Sequence, residues 1–318
     1  MTRIFCIIAT LLIISGLPVQ AEKNLMRPPG TTRYAPMMAR LHALLDFDQS
    51  QGAHRMSLTS IGTSIQGREI WLVTIHGGPT RIYYQCRQHG HEPASTEGAL
   101  AFLDQLVHAE TGSPLDNDLK HATVYVVPMA NPDGAEAFLR HNAHDVDPNR
   151  DWIKQSQPET RAWVQAIKRI HPDLMTDQHE LYPDDTRPDF TETVGAGSGA
   201  ALEVIATGLD DQRVIQGAML AEGFPTVAHH INDRHPPRLA HRYCAIALGI
   251  PTLLFETNRL TARDRSVADR AAAHTQFMID VLRAGAGERP QMIAEADAWR
   301  AAHVTTDKTP STTETGSE

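Results

Sequence analysis

The chain has 318 residues, 41% hydrophobic and 21% charged, with a net charge of −9. That length and mix can bury one large α/β core or two small ones. The acidic balance and the lack of any Lys/Arg block argue against a nucleic-acid or anionic-membrane partner.

The first residues, "MTRIFCIIATLLIISGLPVQAEKN", place Arg3 before an apolar run from Ile4 to Leu17 and end on Val19-Gln20-Ala21. The run is short for a membrane span, and the small-residue ending reads as a secretory signal peptide, residues 1–21, cut after Ala21. Cys6 precedes the apolar run, which argues against a lipoprotein. The expected location is secreted or periplasmic, with no stable membrane insertion after cleavage. Cys86 and Cys244 then remain. Two thiols make no disulfide framework, and two separate buried thiols are expected rather than a bridge.

Residues 22–55 read as a polar, Pro/Gly-rich lead-in followed by a first helix around "MMARLHALLDF". "REIWLVTIHGG" and "TRIYYQCRQHG" read as two strands of a hairpin turning at Gly77-Gly78-Pro79. "ASTEGALAFLDQLVHA" is a helix that Ser95 or Thr96 could cap. "ATVYVVPMANPDG" is a buried strand ending in a tight turn. Pro158 starts the helix "PETRAWVQAIKRIH", and "PDLMTDQHE" is a short strand. A helix from 199 to 223, a strand "FPTVAHHI", a helix "PPRLAHRYCAIALG", a strand "IPTLLFET" and a helix "SVADRAAAHTQFMIDVLRAG" complete the pattern. This alternation predicts an α/β fold, a mixed and largely parallel sheet with helices on both faces. Residues 56–284 form the expected catalytic domain. Residues 285–318 are a helix remnant and a tail without apolar periodicity, expected to be disordered.

In such sheets chemistry collects at the carboxyl ends of strands. Four polar clusters fall there: His89–Glu92, Asn131–Gly134, His179–Glu180 and Glu256–Asn258. A catalytic zinc takes three protein ligands, and histidine with carboxylate suits it. The stretch "HGHE" offers His89 with Glu92 or the adjacent His91 with Glu92. Adjacent residues leaving a strand point to opposite sides, whereas a pair with two residues between them can converge around a turn that Gly90 eases. That favours His89 and Glu92, with His91 at the rim, and His179 is the best third ligand. No H-E-x-x-H occurs, so a thermolysin-like helix site is excluded.

From about Met56 to Ala284 the sequence resembles the zinc metallocarboxypeptidases, the carboxypeptidase A/B superfamily. The resemblance rests on "SIGTSIQGREIWLVTI", "HGHE", "NPDG", "DPNRDW" with "QPETRAW", "DLMTDQHE" and "PTLLFET", in that order. "QHGHEPASTEGAL" with D-x-H-E looks closest to a bacterial secreted branch.

The resemblance implies a zinc-dependent hydrolase of C-terminal peptide bonds, carboxypeptidase-like in fold, whose partner is a peptide with a free C-terminus. His89, Glu92 and His179 would hold Zn2+. Glu256 would be the general base, and Arg140 would support the oxyanion. Asn149 and Arg150 would hold the substrate's terminal carboxylate, and Asp147 would orient the first zinc histidine. The family's mobile tyrosine has no counterpart at the expected distance in "VAHHINDRHPPRLAHRY". Tyr243 reads as helical, which leaves His229, His230 and His235 as candidates. A murein-peptide amidase and an aspartoacylase-type deacylase are alternatives on the same site, and an inactive binding module is a third. The presence of all three ligands with Glu256 argues against the last.

Overall fold

The structure, a computed structural model, describes residues 27–234, 236–259 and 265–303. The expected signal peptide, the expected disordered tail from 304 and His235 lie outside the described residues.

Among the described residues one eight-stranded sheet runs in the order β1-β2-β4-β3-β5-β8-β6-β7. The strands are β1 Met56–Thr63, β2 Glu69–Ile75, β3 Thr80–Cys86, β4 Ala122–Val127, β5 Leu174–Glu180, β6 Phe190–Val194, β7 Val227–Ile231 and β8 Thr252–Thr257. The central strands β4, β3, β5 and β8 are mutually parallel, and antiparallel pairings flank them. This is the mixed sheet expected.

Alternating side chains of each central strand enter two cores. Ile82, Tyr84 and Cys86 of β3 face one core, and Tyr83 faces the other. The larger core is closed by α1 Tyr34–Ser50, α2 Ala94–Val107, α6 Leu202–Ala221, α8 Val267–Ala286 and α9 Arg289–His303, which supply Leu41, Leu100, Val214, Phe277 and Met292. The opposite core receives Trp163 and Ile167 from α5 Pro158–Ile170, and Cys244 from α7 Ala240–Ala247. Two short helices, α3 Pro114–Leu119 and α4 Pro132–Ala137, complete the set. Cys86 and Cys244 are free and buried, one in each core.

The expected β2–β3 hairpin does not form. The true hairpin is β1–β2, and β4 lies between β2 and β3. Gly77 and Gly78 serve a close crossing instead of a tight turn. A Cβ on Gly77 would meet the Leu119 carbonyl at 2.1 Å, and one on Gly78 would meet His121 at 2.2 Å. The expected cap of α2 also fails. Pro93 is its N-cap residue, while Ser95 Oγ accepts from Arg87 N–H at 3.1 Å and Thr96 Oγ1 donates to the Pro128 carbonyl at 2.7 Å. Both hydroxyls tie the helix to the β3 and β4 ends rather than to itself.

Candidate metal centre

The carboxyl ends of β3, β5 and β8 lie side by side, because Gln85 pairs with Asp177 and His179 with Glu256. Beyond β3 the chain turns sharply, and Glu92 N–H donates to the His89 carbonyl at 3.1 Å. That turn brings His89 and Glu92 together. Gly90 is required there for space and not for an unusual φ, since a Cβ would meet Gly134 at 1.9 Å. The left-handed residue is Arg87, at φ 57°. Its buried guanidinium donates to the Gly90 carbonyl at 3.0 Å and the Thr32 carbonyl at 2.8 Å.

Glu92 bridges both histidines. Its Oε1 lies 2.8 Å from His89 Nδ1 and its Oε2 2.8 Å from His179 Nδ1. The three residues are buried, and their donor atoms lie within 4.8 Å of one another. Each far ring nitrogen meets an aspartate: His89 Nε2 lies 3.1 Å from Asp147 Oδ1, and His179 Nε2 lies 3.0 Å from Asp177 Oδ1. With a metal bound, a proton held between Nε2 and each aspartate would leave the Nδ1 lone pair facing inward, the tautomer that suits a metal ligand. Two such lone pairs and a carboxylate converging in a dry site suit a zinc ion. His91 does not join them. Neither of its ring nitrogens has a hydrogen-bond partner, its ring packs edge-on against Tyr182, and burial pushes its pKa down to about 3.

The charges around the cluster are matched. Although burial opposes it, His89, Arg140 and Arg150 hold the Asp147 carboxyl well below the usual range. Arg140 donates from Nε to Asp147 Oδ2 at 3.0 Å and places Nη1 3.8 Å from Glu92. Burial likewise opposes ionisation of Glu92, yet the two histidines hold its carboxyl well below normal. Glu256 goes the other way: burial, reinforced by Glu92 and Asp177, pushes it up to about 7. Local electrostatics thus separate the two glutamates, one ionised as a ligand and one poised near neutrality.

His89, Glu92, Arg140, Arg150 and Glu256 border one hollow of about 240 Å³. Asn149 also borders it; its Oδ1 accepts from Ala240 N–H at 2.9 Å, and its Nδ2 lies 3.0 Å from His179 Nε2. Asn131 caps α4 by accepting from Gly134 N–H at 2.9 Å, so "NPDG" opens a short helix instead of a bare turn. Of the candidates for the missing tyrosine, His230 Nε2 is turned to Gln212 Oε1 at 2.8 Å, and His229 stacks on Phe190 at 4.4 Å. Tyr243 lies in α7, where its hydroxyl accepts from Gln155 at 3.1 Å.

Sequence reasoning missed several residues here. Asp177 was readable, since it precedes His179 by two in a strand and shares its face. Tyr182, half exposed at the rim with the Arg140 guanidinium 5.3 Å over its ring, carried no periodic signal. Nor did Glu192 of β6, whose Oε1 lies 3.1 Å from the buried His241 Nε2 and which borders the same hollow.

Comparison with known proteins agrees with this geometry. A sequence profile described as zinc carboxypeptidase matches residues 41–181. Carboxypeptidase 2 of Trichophyton tonsurans is 36% identical over 101 residues, covering 32% of this chain and 18% of that protein. Carboxypeptidase D of Mus musculus is 31% identical over 132 residues, 36% of this chain and 10% of that one. The matched part is thus about a fifth or less of these relatives' length. Among solved structures, a metallo-carboxypeptidase from Burkholderia cenocepacia superposes with a TM-score of 0.66 at 22% identity, covering 79% of this chain and 69% of that one. One from Pseudomonas aeruginosa gives 0.65 at 21% identity, with 83% and 70% covered. The parallel strand ends, the His-Glu-His cluster and these likenesses agree: residues 41–181 match the zinc carboxypeptidase family, and the fold is that of the metallo-carboxypeptidases.

Proposed function

We propose that this protein is a zinc-dependent carboxypeptidase that hydrolyses the C-terminal bond of a peptide. The observation that carries the reading is one hollow bordered by the buried His89–Glu92 pair, the carboxylate Glu256 and the guanidiniums Arg140 and Arg150. His89, Glu92 and His179 would hold zinc, which supplies Lewis acidity that makes water nucleophilic near neutral pH and polarises a carbonyl. Glu256, with its raised pKa, takes the proton of the attacking water and returns it to the leaving amine. Arg140, fixed by Asp147, presents fixed positive charge to the developing oxyanion. Arg150 lies on the 147–152 loop beside the hollow, its Nη1 donating to the Asn149 carbonyl at 3.0 Å, and its remaining donors suit a carboxylate. Asp147 and Asp177 keep the two imidazoles in their ligating tautomer. The pattern of residues 3–21 supports export to the periplasm or outside the cell, and no helix among the described residues is long and apolar enough to cross a membrane.

The test compares a peptide with a free C-terminus and its C-terminal amide. The wild type is expected to cleave the acid and nearly ignore the amide. Arg150→Ala should raise KM for the acid at least about tenfold, about 1.4 kcal/mol, and leave zinc content unchanged. Arg150 is exposed, which places the effect at the low end for a charge-assisted contact. Equal cleavage of acid and amide by the wild type would move the assignment to a murein-peptide amidase or a deacylase.

A further inference from the structure

Gln88 stands between β3 and the ligand His89, and it is fully buried. Both ends of its amide are committed. Oε1 accepts from Trp152 Nε1–H at 2.9 Å, and Nε2 donates to Asp177 Oδ1. The amide orientation is fixed by its partners, since an indole only donates and a carboxylate only accepts. Its backbone carbonyl accepts from Asn131 Nδ2 at 3.2 Å.

Each partner leads to a working part of the site. Asp177 Oδ1 lies 3.0 Å from His179 Nε2, and Gln88 Nε2 itself lies 3.4 Å from that ring nitrogen. Among the described residues the other carboxylate oxygen of Asp177 has no hydrogen-bond partner, and His241 Nδ1 faces it at 3.8 Å. The hydrogen bond that places this wholly buried carboxylate comes from Gln88, and His179 and His241 add ionic contacts at 3.0 and 3.8 Å. Trp152 is equally buried, against Trp163 and Tyr243, and follows the turn that carries Asp147, Asn149 and Arg150.

We propose that Gln88 is a positioning residue: through Asp177 it sets the ring of His179, and through Trp152 it ties that ring to the loop bearing Arg150. The proposal rests on the zinc reading above. It makes the metal pole and the carboxylate-binding loop one mechanical unit, so zinc affinity and loop order are linked reciprocally.

The experiment uses the full mature chain and titrates it with zinc against a chromophoric chelator and, separately, with cobalt(II), whose visible bands report ligand geometry. Gln88→Met keeps the length of the side chain and removes both bonds. It should raise the zinc Kd about 10- to 100-fold, the usual range for losing an outer partner of a ligand, and shift the cobalt bands. Val281→Ala, in the larger core on α8, serves as a control that destabilises without touching the site and should leave both readouts unchanged. Trp152→Phe keeps an aromatic side chain and deletes the indole N–H donor to Gln88 together with part of the ring volume. It should shift the cobalt bands in the same direction, and it carries the test if Gln88→Met does not fold. If the wild type binds neither metal at one equivalent, the zinc reading fails. If the wild type binds and the Gln88 and Trp152 variants match it in Kd and spectrum, the zinc reading stands and the role given to Gln88 is overturned.

Discussion

Asp280 on α8 offers a measurement of what burial costs this fold. Its side chain is fully enclosed, and Oδ2 has no hydrogen-bond partner. Arg283 Nη1 lies 3.4 Å from Oδ1, yet that guanidinium gives its shorter contacts elsewhere, 2.9 Å to Glu288 and 2.8 Å to Glu295. Desolvation therefore wins, helped by Glu222, and lifts the carboxyl from 3.8 to about 7. Because the folded pKa exceeds the unfolded one, the contribution is fully present below about pH 4 and is lost as pH rises through about 7. Roughly three pH units at about 1.4 kcal/mol each make about 4 kcal/mol in all, of which about 3 kcal/mol falls between pH 5 and 8. Asp280→Asn keeps the shape and never ionises. Urea unfolding at pH 5, 6, 7 and 8 should show the variant gaining on the wild type by about 3 kcal/mol over that range, with no further gain above pH 8. Even half of that is measurable from the midpoint shift at a urea m-value of ~3 kcal/mol/M. A difference between the two proteins that is constant with pH would refute the reasoning, because only titration of this carboxyl gives it a slope.

Three further outcomes follow from the metal centre. Asp147→Asn removes the charge that orients His89 and pairs Arg140, and should weaken zinc about 10- to 100-fold in chelator competition; unchanged affinity would show that Asp147 only shapes its turn. Gly90→Ala drives a Cβ into the first turn of α4 at 1.9 Å, so the turn must open and separate His89 from Glu92; the expected result is loss of stoichiometric zinc by elemental analysis together with a stability cost of about 1–3 kcal/mol. Glu256→Gln should retain zinc and lose roughly 100-fold or more in kcat, and near-normal turnover with zinc bound would remove it from the general-base role.

The longer helices of this protein announce themselves, while the short α3 and α4 do not. Pro158 opens α5 with Glu159 in its first turn and Lys168 and Arg169 in its last, so its position was plain from local chemistry. Strand neighbours were a different matter. β2 and β3 are both apolar and adjacent in sequence, and nothing in either says that β4 will slide between them; consecutive strands pair often enough to make the wrong choice the natural one. β6 was overlooked because "FTETV" is only five residues long, although Phe190, Thr191, Thr193 and Val194 are strand formers. His89, Glu92 and His179 were legible because strand ends concentrate polar groups and a pair with two residues between them closes around a turn. Gln88 was not, because a glutamine beside a ligand signals nothing until Trp152 and Asp177 arrive from distant parts of the chain.

The sheet order has a consequence for how the protein comes into being. β6 and β7 are joined to the sheet only through β8, which inserts between β5 and β6. A chain emerging from a ribosome or a translocation pore can assemble β1 to β5 early, yet β6 and β7 stay unattached until residues 252–257 are available. Such pairing across long stretches of chain is slow. Glu256 rides on that last central strand. The proposed base therefore joins the sheet after the candidate ligands His89, Glu92 and His179, with only the packing of α8 and α9 still to follow in the chain.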